Sequence, residues 1–97
     1  MKEVNNMHNV SSKGKNRKEL ERKWCNHNMD IIQDNLLFGL MHPHDFTKAD
    51  IKKYEIEANQ EQRTFREFIR KGGTPIFDNH TQMYIIPPKE QEKYHEL

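Results

Sequence analysis

Apolar residues recur every three to four positions between residues 17 and 41, which is the spacing of one face of an α-helix. These positions are Leu20, Trp24, Ile31, Ile32, Leu36, Leu37, Leu40 and Met41. Pro43 disfavours helical backbone at the residue before it and so ends the segment. The pattern predicts a helix over 17–41, and the polar tripeptide 26–28 leaves open an interruption near its middle.

A second helix is predicted to follow Thr47. Thr47 and Asp50 have the spacing of a capping box, in which each side chain bonds the backbone N–H of the other residue. The apolar stripe of this helix consists of Ile51, Tyr54, Ala58, Phe65, Phe68 and Ile69, with Glu61 or Gln62 in its gap. Gly72 and Gly73 favour the left-handed conformation that ends a helix, so the helix is predicted over 48–71.

Two short runs rich in β-branched and aromatic residues, 74–77 and 83–86, flank the turn-rich tetrad 78–81. This arrangement predicts a β-hairpin. A hairpin alone is marginal in water, so we expect it to pack on the helices through Phe77, Tyr84 and Ile86. Residues 88–97 favour a short C-terminal helix with Pro88 in its first turn.

The predicted fold class is therefore a mainly helical α+β domain. A two-helix hairpin packs on a C-terminal β-hairpin, and a short C-terminal helix follows. Residues 1–16, which are rich in Asn, are predicted to form a flexible basic arm, and residues 17–97 a single small domain.

Composition indicates a thin core. The chain has 97 residues, 33% of them apolar, and a mean hydropathy of −1.14, while an average domain is roughly 45–50% apolar. A domain with so little apolar surface to bury is marginally stable, and this favours completion by a partner or by self-association. The excess of Lys over Arg and of Asn over Ala is typical of AT-rich genomes and favours an origin in a bacteriophage or mobile element.

The sequence predicts a cytoplasmic protein without a membrane span. Its longest apolar-rich run, 36–41, is far shorter than the roughly 18 residues that a span requires. The N-terminal residues lack the apolar region of a secretory signal. Cys25 is the single cysteine, whereas small domains of oxidising compartments usually carry several.

Basic residues are concentrated near the N-terminus. Residues 1–24 hold seven Lys or Arg against three acids, while the remaining residues hold nine against twelve. This asymmetry makes nucleic-acid binding one hypothesis, with phosphates contacted by the basic segment 13–23 and a groove entered by the helix 48–71. The candidate residues are Lys13, Lys15, Arg17, Lys18, Arg22, Lys23, Arg63, Arg66 and Arg70. The alternative is an ordinary solvated charged face, which the moderate overall pI of 7.9 favours.

Histidines raise the question of a metal site or of catalysis. The ligand types suited to zinc are Cys25, His27, His42 and His44, but positions two apart on a helix do not share a face. The loop 42–45 carries two imidazoles and a carboxylate, yet no phosphate loop, paired-carboxylate motif or nucleophile motif accompanies it. The sequence therefore predicts no cofactor, with the metal site kept as a third hypothesis, and no catalytic activity.

Binding to a larger protein is the function that the sequence favours, because binding is possible for a small polar fold that has no catalytic motif. Such a protein would modulate its partner, and a homo-oligomer is an open alternative. The candidate contact residues are Trp24, Met41, Phe46, Ile56, Tyr84 and Tyr94. The contact surface is expected to be formed by the first helix and the β-hairpin, and exposed apolar side chains would contribute to it.

Overall fold

The computed structural model describes residues 13–95, with side chains from Asn16 to Lys93. Its elements in chain order are α1 (Lys13–Leu40), α2 (Lys48–Arg70), β1 (Ile76–Asp78), β2 (Met83–Ile85) and α3 (Pro88–His95). The predicted fold class is confirmed, since two long helices form a hairpin, the two strands form an antiparallel sheet and a short helix follows. Of the predicted arm, residues 1–12 lie outside the described residues, while 13–16 belong to α1.

The first helix is continuous through the polar tripeptide 26–28, so the alternative of an interruption there is wrong. The tripeptide is tolerated because its last member, Asn28, is buried and bonds with its side chain outside the helix. The helix ends at Leu40, where the N–H of Met41 still bonds the carbonyl of Leu37 at 3.0 Å. Pro43 then prevents its continuation.

Both predicted ends of α2 are present. Thr47 and Asp50 form the capping box. The backbone N–H of Thr47 donates to Oδ2 of Asp50 at 3.0 Å, and the backbone N–H of Asp50 donates to Oγ1 of Thr47 at 3.1 Å. At the other end Gly72 has a φ of +99°, and the N–H of Gly73 bonds the carbonyl of Phe68 at 2.9 Å. These are the features of a Schellman C-cap.

The hydrophobic core lies where the β-hairpin crosses the open end of the helical hairpin. Its buried members are Cys25, Phe65, Phe68, Ile69 and Ile86, with Trp24 and Tyr84 packed against them. Along the helices burial continues through Ile32 and Ala58 and then declines. The predicted packing of Tyr84 and Ile86 on the helices is thus confirmed. Phe77 is 40% exposed and contacts α1 through the ring of His27, with a centroid distance of 5.8 Å.

The strands pair in a register that places Phe77 opposite Tyr84. Four residues, 79–82, connect them, and Gln82 takes a positive φ of 63° to close the loop. The side chain of Asp78 accepts hydrogen bonds from the N–H of His80 and the hydroxyl of Thr81. Asp78, the first residue of the predicted tetrad 78–81, therefore stabilises the loop through its side chain.

Candidate functional site

The closed end of the helical hairpin carries a concentration of exposed apolar side chains. Beyond Ile32 and Ala58 the described part of the chain has only the two helices, and two helices cannot cover each other on all sides. We call the exposed side chains here the distal apolar surface. It consists of Leu37, Phe38, Leu40, Met41 and Phe46, which are five of the nine large apolar side chains exposed in the described part of the chain.

An apolar groove of about 510 Å³ opens on this end of the molecule. Its apolar walls are Leu36, Phe38, Phe46, Ile51 and Tyr54, and its polar lining is Asn35, Asp45 and Asp50. Gly39 lets the helices approach closely here, because a Cβ at this position would lie 3.2 Å from a side-chain carbon of Ile51. The groove thus exists because α1 and α2 meet tightly at their ends while no third element within residues 13–95 covers the junction.

The aromatic wall of the groove is built by contacts within the 38–46 segment. The rings of Phe38 and Phe46 have centroids 6.2 Å apart, and the imidazole of His42 stacks on Phe38 at 4.0 Å. The Nδ1–H of His42 also donates to the carbonyl of Phe38 at 2.7 Å. On the other wall the amide of Asn35 donates to the hydroxyl of Tyr54 at 2.8 Å. These contacts hold the walls in place without filling the groove.

The rim of the groove is negatively charged. Asp45 and Asp50 both line it. The N–H of Thr47 and then its hydroxyl lower the pKa of Asp50, so this carboxylate is ionised at neutral pH. An apolar floor with acidic groups at its edge favours a ligand that combines apolar side chains with a basic group.

The predicted protein-contact residues do not all lie at this surface. Met41, which is 74% exposed, and Phe46 belong to it, whereas Ile56 is exposed farther along α2 and does not line the groove. Trp24 and Tyr84 pack against the core with ring centroids 6.2 Å apart, so both have a structural role. The side chain of Tyr94 lies outside the described ones.

Several groove residues were absent from the sequence-based candidates, namely Asn35, Leu36, Phe38, Gly39, Ile51 and Tyr54. Leu36, Ile51 and Tyr54 lie on the apolar helix stripes that the sequence pattern predicts. A signal was present nonetheless, because five of the six residues 36–41 are apolar. A helix segment that is apolar all round cannot bury every side against one neighbouring helix.

A basic cleft between α1 and α2 is the second surface of note. It has a volume of about 610 Å³ and lies near the open end of the helical hairpin. Its charged lining is Arg17, Lys18, Arg22, Arg66 and Arg70 with the single acid Glu21, and Cys25 and Asn26 complete it. Residues about 50 positions apart in sequence are thus brought together, since Arg70 contacts Glu21.

Hydrogen bonds hold Arg70 and Arg17, and an ion pair holds Arg66. Arg70 donates to both carboxylate oxygens of Glu21 at 3.1 to 3.2 Å, and Nε of Arg66 lies 3.8 Å from the same carboxylate. The Glu21 carboxylate raises the pKa of the Arg70 guanidinium further above its already high value. Arg17 donates to the carbonyls of Ile69 and Gly73, where it complements the C-terminal dipole of α2.

The other predicted nucleic-acid residues lie elsewhere or outside the described side chains. Lys23 and Arg63 are exposed but do not line the cleft. Lys13 and Lys15 fall in the first turns of α1, and their side chains lie outside the described ones.

The four candidate metal ligands are not brought together. Cys25 is buried in the core, and Nε2–H of His27 donates to the carbonyl of Gln82 at 2.7 Å. His42 and His44 lie in the loop after α1, which continues for thirteen residues beyond His27. No group of three or more His, Cys, Asp or Glu side chains is placed to hold a metal ion anywhere in the described part of the chain.

Comparison with protein-family models, with curated proteins and with solved structures gives no match. No helix in the region that the structure describes is both long enough and apolar enough to cross a membrane. The function is therefore argued from the groove and the cleft.

Proposed function

We propose that this protein is a small non-catalytic binding protein that docks on a larger protein in the cytoplasm and modulates it. The apolar groove would receive an apolar helical segment of that partner with a Lys or Arg at its edge. The observation that carries the proposal is the distal apolar surface, which gathers most of the exposed large apolar side chains at one end of the molecule. A bacteriophage or mobile-element origin is proposed from composition alone.

The size of the distal apolar surface supports docking. Its members are between 39% and 74% exposed. With side chains of roughly 150–250 Å² each, on the order of 500 Å² of apolar area is exposed around this end of the molecule. A segment docked in the groove would cover the part of it at Phe38 and Phe46, and the gain would offset part of the marginal stability that the thin core implies.

The chemistry of the groove supports the stated kind of partner. Its walls are apolar, and two antiparallel helices with an open side accept a third helix in the manner of helix-in-groove recognition. The carboxylates of Asp45 and Asp50 at the rim favour a basic side chain on the incoming segment and disfavour an acidic one.

The test is a selection from a library of random linear peptides with the folded protein as target. The groove variant is Phe38→Ala, and its matched control is Ile76→Ala, an exposed apolar position on the β-hairpin. The two side chains are 54% and 44% exposed, so neither truncation empties the core. We expect selected peptides with apolar residues at helical spacing and a Lys or Arg beside them. Phe38→Ala should weaken their binding by about tenfold or more, with less than about twofold change for Ile76→Ala.

Three results would overturn the proposal. They are the absence of any enriched peptide, enrichment of acidic peptides, and equal binding by the Phe38→Ala variant. The remaining candidate occupant of the groove is a second copy of this chain, and light scattering tests for it by measuring the oligomeric state. A dimer that Phe38→Ala dissociates would assign the groove to self-association instead.

A further inference from the structure

We propose that the basic cleft binds the phosphate backbone of a nucleic-acid duplex without reading its sequence. This site is separate from the apolar groove and does not depend on the docking function. It rests on five cations from two helices that line one cleft, where Glu21 is the one acid among the described side chains, and this leaves a local excess of positive charge in a chain whose formal net charge is only +1. Such clustering on one face is the electrostatic footprint of a nucleic-acid contact.

The cations of the cleft form two rows. Lys18 and Arg22 are four residues apart on α1, and Arg66 and Arg70 are four residues apart on α2. Members of each pair share a helix face and lie about 6 Å apart along the axis. Two parallel rows of charge suit an extended chain of phosphates better than a single compact anion.

The position of Glu21 favours an extended polyanion over a small anion as the ligand. Its carboxylate sits against Arg66 and Arg70, so it already occupies the inner place where a small anion would bind. The outer faces of these arginines remain accessible, as do Lys18 and Arg22, which are exposed. A polyanion that bridges the rim therefore gains contacts with several cations at once, while an isolated phosphate must compete with Glu21.

The lining also argues against base recognition. Among the described side chains no aromatic one lines the cleft, so they offer no platform on which an unpaired base could stack. Trp24 is packed against the core with Tyr84. Binding through cations alone favours a duplex backbone, with an affinity that depends strongly on salt and little on sequence.

The experiment measures anisotropy of short fluorescent duplexes, one of DNA and one of RNA, and of fluorescent polyglutamate. The cleft variant is the double substitution Lys18→Gln with Arg22→Gln. Its control is Lys89→Gln with Lys93→Gln, which removes the same charge from α3, where both side chains are exposed and away from the cleft. Circular dichroism checks that each variant is folded.

We expect the wild type to bind a duplex at low salt. A plot of log affinity against log salt concentration should have a slope of about −2 to −4. The cleft variant should lose about tenfold or more in affinity, and its salt slope should fall by about two. The control variant should change by less than about threefold. A preference for DNA or for RNA would identify the duplex, and either supports the proposal.

The proposal is overturned if the wild type does not bind either duplex at low salt, or if both double variants weaken binding equally. Tighter binding of polyglutamate than of either duplex would assign the cleft to an acidic protein instead. The groove variant Phe38→Ala should bind duplex as the wild type does. This keeps failure of the cleft distinguishable from failure of the proposed docking function.

Discussion

The side-chain amide of Asn28 bonds both backbone groups of Tyr84. The N–H of Tyr84 donates to Oδ1 of Asn28 at 2.8 Å, and Nδ2 of Asn28 donates to the carbonyl of Tyr84 at 2.9 Å. Asn28 is 0% exposed. A neighbouring strand would bond the N–H and the carbonyl of Tyr84 in the same way. The side chain of Asn28, on α1, therefore takes the place of a strand at the edge of β2 that β1 does not cover. This pair of bonds also fixes the position of the β-hairpin along α1.

Removing the amide should therefore destabilise the junction between hairpin and helix. We expect Asn28→Ala to lower the free energy of unfolding by about 2 kcal/mol or more, because it leaves two backbone groups of Tyr84 without their partner. The matched control is Gln62→Ala, since Gln62 only accepts a longer bond of 3.4 Å from the same amide. This change should cost less than about 1 kcal/mol. Urea unfolding followed by Trp24 fluorescence measures both, and equal costs would show that the bonds to Tyr84 carry no special weight.

The elements of the fold were predictable from the sequence because each has a local signal. The period of Leu20, Trp24 and Ile31 indicates α1, and the Thr47 and Asp50 pair marks the start of α2. The role of Asn28 was not predictable, because a polar residue within a helix pattern is ordinarily a weak or solvated position. Its function depends on a strand 56 residues away.

The candidate sites were predictable only in part. Arg17 and Arg70 could be named from the sequence, but their meeting in one cleft depends on how α1 and α2 are aligned. Met41 and Ile56 were predicted contact residues and both are exposed, but neither lines the groove. Helix periodicity specifies which side of a helix is buried, whereas the partner that covers it is a property of the tertiary packing.

Gly73 should tolerate a side chain less well than Gly72. A Cβ at Gly73 would lie 2.3 Å from a ring carbon of Phe68, which is fully buried and so cannot move freely. We expect Gly73→Ala to cost about 1–3 kcal/mol through overpacking. Gly72 has open space around its Cβ position but a φ of +99°, so Gly72→Ala should cost about 1 kcal/mol through backbone strain. Thermal unfolding compares the variants, and a larger loss at Gly72 would contradict the close approach of Phe68.

The thiol of Cys25 should be protected in the folded protein. It is buried among core residues contributed by α2 and by the segment after β2. We expect alkylation by iodoacetamide in native buffer to be at least about tenfold slower than in urea, because the reagent must wait for the core to open. Mass spectrometry of intact protein over time gives the rate. Rapid native labelling would contradict this protection and would mean that the reagent reaches the thiol, either through the basic cleft that Cys25 lines or through detachment of α1.

Protonation of Asp78, which bonds the loop between β1 and β2, should be one cause of lower folding stability in acid. The hydroxyl of Thr81 and then the N–H of His80 lower the pKa of Asp78, with donor distances to its carboxylate of 2.8 and 3.2 Å. An unfolded Asp titrates near pH 4, so the unfolded state binds more protons as pH falls below that value. The contribution of Asp78 is therefore complete above about pH 4 and is lost as pH falls through its lower folded pKa. Asp50 contributes in the same sense through Thr47.

The substitution Asp78→Asn isolates this contribution, because Asn can still accept a hydrogen bond from the loop but cannot titrate. We expect the free energy of unfolding of this variant to fall less steeply with acidification below about pH 4 than that of the wild type. Asp34→Asn, at an exposed position on α1, is the control for loss of one negative charge. Urea unfolding at several pH values measures the slopes. If the Asp78 variant and the wild type lose stability in parallel, the hydrogen bonds of the turn do not favour the ionised carboxylate.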